Sequence, residues 1–239
     1  MTREVEAITA EELIASMVST QPVPKPLTVP QPAPTEPRLV DDLAQTIEAP
    51  SAPRILILDA AEMLIAHVGF GVVTEEEVAK AANVSIDVFH AHFADKLALL
   101  RALNERFCTQ AIALTDDATR SGIWDHAAPR DVIEVAVRSI LDVVLSRAAL
   151  VKAVLSSDDE ELLEGFRRVG TNVTARVMGV IDEMRGKDKP DERDVAFVFL
   201  LAVSIAHQTI MIGPEWSGVA FEREDLYERT VRAVRGYLS

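Results

Sequence analysis

The chain has 239 residues, 49% of them hydrophobic but only 5% aromatic, with one cysteine and a formal net charge of −14. That is apolar matter for one large core or two smaller ones, and a single cysteine excludes an intrachain disulfide framework. The acidity argues against a chain that holds nucleic acid by bulk charge alone.

The N-terminus is acidic and lacks the basic, then apolar, pattern of a secretory leader, so a cytoplasmic protein is expected. Thr9 and Glu12 form a capping box that opens a short helix, with Leu13, Ile14, Met17 and Val18 on one face. Nine of the twelve prolines precede Arg54. Between Gln21 and Pro37 they remove backbone donors and push their neighbours towards extended backbone, as in a polyproline linker. A weak helix over 39–47 follows, so residues 1–50 read as an extension, largely disordered.

From Arg54 onward apolar residues recur at helical spacing, which points to an all-α fold. A helix over 54–68 turns Ile55, Leu58, Ala61, Met63, Leu64 and Ile65 inward and stops at Gly69. Thr74 and Glu77 box the start of a helix over 75–81, and Ser85 caps another over 85–92. The link between them is Ala82-Asn83-Val84, where Asn83 tolerates left-handed backbone. A fourth helix starts after Asp95 and runs to about Asp117, carrying Cys108 on its apolar stripe as a buried thiol.

Further helices are expected near 129–146, 147–156, 159–185, 191–212 and 222–237, with Pro129 in a first turn and Ser157 or Asp158 capping the third. The run Val195–Ile212 is broken by Ser204, His207, Gln208 and Thr209, so it reads as a buried helix rather than a membrane span.

Residues 54–107 thus make a tight helix pair braced by a first helix, the arrangement that leaves a third helix bare for a major groove. Ala82-Asn83-Val84-Ser85, Phe89-His90, His92-Phe93, Asp95-Lys96 and Leu99-Leu100, with Ile57 to Gly69 upstream, resemble the core pattern of the TetR family of bacterial regulators. The resemblance implies a DNA-binding head over 51–107 and a helical regulatory and dimerisation domain over 108–239. Carried over position by position, it implies DNA contacts from Thr74, Ser85, Ile86, Asp87, His90, His92 and Lys96, with Val84, Phe89 and Phe93 in the core.

It also implies a homodimer through the helices near 191–212 and 222–237, a palindromic DNA operator, and release by a small apolar ligand. Phe166, Val173, His207, Met211 and Trp216 are the ligand candidates. The head departs from the family in three places. His90 stands where a tyrosine is usual, Asp87 where a small residue is usual, and Glu75, Glu76 and Glu77 crowd the phosphate-facing helix start.

Over 54–107 five basic residues meet eight acidic ones, a balance of −3. Such a head also suits a second reading: a TetR-fold interaction module whose DNA binding is weakened or lost, with its acidic surface and N-terminal arm docking a protein partner. No glycine-rich phosphate loop, HExxH or metal-like His/Cys spacing occurs, so neither an enzyme nor a cofactor is expected.

Overall fold

The structure is a computed structural model that describes residues 52–120, 122–184, 189–213, 218–219 and 221–238. The expected N-terminal helix, the proline-rich linker, the 39–47 helix and Trp216 lie outside the described residues. Among the described residues there are nine helices and no strand. They are α1 (Ala52–Val68), α2 (Glu75–Ala81), α3 (Ile86–His92), α4 (Lys96–Ala118), α5 (Pro129–Ser146), α6 (Ala148–Leu155), α7 (Glu160–Glu183), α8 (Glu192–Met211) and α9 (Arg223–Tyr237).

Local chemistry sets most ends. Gly69 adopts φ +82°, its amide donates to the Ile65 carbonyl at 2.9 Å, and α1 stops there. Asp95 caps α4 by accepting from the Ala98 amide at 2.7 Å. Pro129 occupies the first turn of α5, and Asp131 accepts from the Ala128 amide at 3.0 Å. Arg147, at φ −114° and ψ 29°, breaks α5 from α6. The cap of α7 is Asp159 rather than Ser157 or Asp158. Its carboxylate accepts from the Glu161 and Leu162 amides, while the Ser157 hydroxyl accepts from the Asp159 amide one step earlier.

Two hydrophobic cores form. The first joins α1–α4 to α6 and the start of α7, through Ile57, Ala61, Phe89, Leu103, Val154 and Leu162 among others. The second joins α5, α7, α8 and α9, through Ile133, Leu141, Val177, Val198, Ala202 and Val234. Ile55 and Met63, expected inward, are 42% and 53% exposed. The buried stripe of α1 is instead Ile57, Leu58, Ala61 and Ile65, and at 100° per residue Ile55 and Met63 fall on its outer side.

The helix α4 runs unbroken through position 107 and packs along α7. At this crossing the buried Asn104 donates to the Leu162 carbonyl at 3.0 Å. The thiol of Cys108 donates to Asn104 Oδ1 at 3.8 Å, and Gly165 lies against both. Burial, helped by the nearby Glu105, pushes the Cys108 thiol up to about 11. Ion pairs join the neighbouring helices: Arg168 of α7 binds Glu105 of α4 across this crossing, Arg106 of α4 binds Asp59 and Glu62 of α1, and Arg147 also binds Glu62.

By length and composition α8 could cross a membrane. Here one side of it, Val195, Val198, Phe199, Ala202 and Ala206, is buried against α5 and α7.

Candidate nucleic-acid interface

The pair α2–α3 is fixed at each joint by residues visible in the sequence. The Thr74 hydroxyl accepts from the Glu77 amide at 3.2 Å, and the Glu77 carboxylate accepts from the Thr74 amide at 2.9 Å. Asn83 takes φ +55°, which turns the chain sharply enough for the Val84 amide to reach the Ala79 carbonyl at 3.0 Å. Ser85 then caps α3 by accepting from the Val88 amide at 3.2 Å. Phe89 and Phe93 are buried with ring centroids 5.8 Å apart and pin α3 to the core, while Val84 is half-buried against it.

Of the residues expected at DNA, Thr74, Ser85, Asp87 and His90 are exposed, and Ile86, His92 and Lys96 are half-buried. Ala91, absent from that expectation, is exposed, four residues and one turn after Asp87. Helical spacing was the signal for it. Asp87, His90 and Ala91 share the bare face, whereas His92 projects from the opposite flank. The imidazole of His90 lies 3.6 Å from the Glu75 carboxylate and meets the Phe89 ring edge-on, which turns it towards the start of α2. An open depression of about 410 Å³ flanks the turn, lined by Glu76, Ala79, Lys80, Asn83, Val84 and Ile86.

Most charges of the head are already engaged. Asp59 and Glu62 hold Arg106, Glu105 holds Arg168, Glu77 closes its capping box and Asp95 caps α4. Arg101 bridges Asp159 and Glu161, and its guanidinium holds the Asp159 carboxyl below the usual carboxylate range. Among the described residues, Glu76 and Asp87 have no ion-pair partner. Among the same residues, the cations of the head not tied to a carboxylate are Arg54, Lys80 and Lys96. Arg54 stacks on Phe93 at 5.1 Å, and Lys96 stacks on Phe70 at 4.7 Å while donating to the Gly71 carbonyl.

The described ligand candidates, Phe166, Val173, His207 and Met211, sit in different surroundings. Phe166 packs edge-on to Phe107, with centroids 6.0 Å apart, against the first core, whereas Val173 is buried in the second. Met211 is half-buried and His207 is exposed. His207 belongs to a stripe on α8 with Phe197, Leu200, Val203, Ser204 and Gln208, all exposed, Leu200 at 63%. Phe197 lies against Tyr237 of α9, centroids 4.9 Å apart, and the Tyr237 hydroxyl donates to Asp194.

Residues 57–103 match the family model described as bacterial regulatory proteins, tetR family. Among solved structures the chain is similar to one from Rhodococcus sp. described as a TetR-family transcriptional regulator, with a TM-score of 0.58 and 18% identity over 79% of this chain and 100% of that one. It is similar to FadR from Bacillus subtilis in complex with stearoyl-CoA, with a TM-score of 0.56 and 16% identity over 77% of this chain and 97% of that one. It is also similar to Thermus thermophilus FadR in complex with lauroyl-CoA, with a TM-score of 0.51 and 19% identity over 76% and 92% of the two chains. No curated protein matches the sequence. The expected all-helical TetR-like architecture is the one found.

Proposed function

The head of this chain, residues 57–103, belongs to the tetR family of bacterial regulatory proteins, and on that premise we propose that the protein is a homodimeric one-component transcription regulator. Two copies of α3 enter successive major grooves of a palindromic operator. Thr74 and Lys96 contact phosphates, and the side of α3 that carries Asp87, flanked by Ser85 and His90, faces the bases. The observation that carries this reading is the bare face of α3, held by the buried Phe89 and Phe93 and covered by no other helix of the head.

The dimer forms through the exposed stripe of α8 and the adjoining side of α9. Leu200 and Val203 gain cover there that the protomer does not give them. Leu200→Glu is expected to leave the protomer folded and convert the dimer to monomer in sedimentation, because the site is already solvated in the protomer. The proposed ligand is small and apolar, and it acts by binding two arrangements of the dimer with different affinity. Two structural neighbours were solved with stearoyl-CoA and lauroyl-CoA, so long-chain acyl compounds are the first to test.

Genomic footprinting and gel shifts at low salt, with and without an acyl-CoA, test the proposal. Sequence-selective protection that the acyl compound relieves is expected. Absence of any selective binding at low salt would reject it. One observation favours the second reading, a protein-interaction module: Glu76 and Asp87 have no ion-pair partner among the described residues, in a head whose balance is −3. No affinity for any duplex, together with a partner lost on deleting residues 1–50, would support that reading instead.

A further inference from the structure

We propose that Asp87 is a base-reading residue and that it selects cytosine in the operator half-site. The inference rests on α3 being the recognition helix. Of the polar side chains on its bare side, Ser85 is taken up as the cap of α3 and His90 is turned to Glu75, which leaves the Asp87 carboxylate exposed and unpaired among the described residues. Ala91, one turn on, adds only a methyl group.

A carboxylate accepts hydrogen bonds and donates none. The donors that a base pair offers in the major groove are cytosine N4 and adenine N6. Adenine places its N7 acceptor beside N6, so a carboxylate approaching there meets a second lone pair. Cytosine places a carbon, C5, beside N4, and Ala91 offers that edge no competing polar atom. Guanine and thymine present only acceptors on this edge, apart from the thymine methyl, and repel the carboxylate. With few free cations nearby, an unpaired carboxylate on this surface weakens binding to every duplex except one that supplies it with a donor.

The test is selection from a randomised duplex library by the full-length protein and by the Asp87→Asn and Asp87→Ala variants, with thermal melts recorded for all three. The native protein is expected to enrich half-sites with one position fixed as cytosine, and exchange of that pair to lower affinity about tenfold. Asp87→Asn is expected to move the preference at that position to adenine, and Asp87→Ala to erase it, with the other positions unchanged. If all three proteins enrich the same half-site, the inference is overturned while the recognition helix stands, and a lowered melting temperature would then assign Asp87 to the first turn of α3 alone. If the native protein enriches nothing, the reading of α3 fails, and the inference with it.

Discussion

At Gly165 the α4–α7 crossing has no room for a side chain: a Cβ there would stand 2.9 Å from Asn104 Nδ2 and 3.1 Å from Cys108 Sγ. Neither atom can swing away freely, because Asn104 is held by the Leu162 carbonyl and Cys108 is fully buried. Gly165→Ala is therefore expected to lower stability by about 1–3 kcal/mol, read as a shifted urea midpoint with the slope unchanged. The thiol beside it supplies a pH dependence. Burial raises Cys108 from an ordinary 9.0 to about 11, so the fold holds the neutral form and unfolding releases it to ionise. Its contribution is complete below pH 9 and disappears as pH climbs from 9 to 11, on the order of 2 kcal/mol in all. Cys108→Ala should flatten that part of the stability curve. Tyr227, pushed up to about 12 mainly by burial and then by Asp142, loses its own share between pH 10 and 12, overlapping the thiol only from 10 to 11.

Helix ends and the turn were legible in the sequence because their chemistry is local. Thr74, Ser85 and Asp95 bond to amides three residues on, Asn83 needs no distant partner to turn, and Gly69 stops α1 by its own backbone freedom. What spans the chain was not legible. The cap of α7 shifted to Asp159, a residue that also grips Arg101 from 58 positions away. The outer side of α1 took Ile55 and Met63 because burial depends on which helices lie alongside, and six apolar residues in one helix outnumber a single stripe. Spacing along α7 likewise does not say which core a residue enters: Phe166 packs against the first and Val173 lies in the second. Between elements Glu62 is a shared electrostatic joint, joining α1 to Arg106 of α4 and to Arg147 at the α5–α6 break. Glu62 is 19% exposed, so Glu62→Gln is expected to cost about 1–3 kcal/mol in chemical denaturation. Removing the solvated pair of Arg120 and Asp117, both more than two-thirds exposed, should cost less than about 1 kcal/mol.

Across the whole molecule the charge balance sets how binding answers to salt. Among the described residues three cations per head, Arg54, Lys80 and Lys96, are free of carboxylates, so the proposed dimer would bring six to the duplex. The logarithm of operator affinity should fall against the logarithm of salt with a slope no steeper than about −5. A steeper slope in titrations by fluorescence anisotropy would mean that cations outside the head, such as Arg3, Lys25 and Arg38, reach the DNA. The first core carries a different consequence. Because it mixes α1 and α4 with α6 and α7, the polypeptide offers no clean seam at which to exchange one specificity for another. A chimera cut after position 107 would sever α4 in mid-helix and strand Ile57, Leu103 and Phe107 from the partners they bury against. Transplanting only 74–93 into this scaffold, with both flanking helices kept, is the graft that the architecture permits.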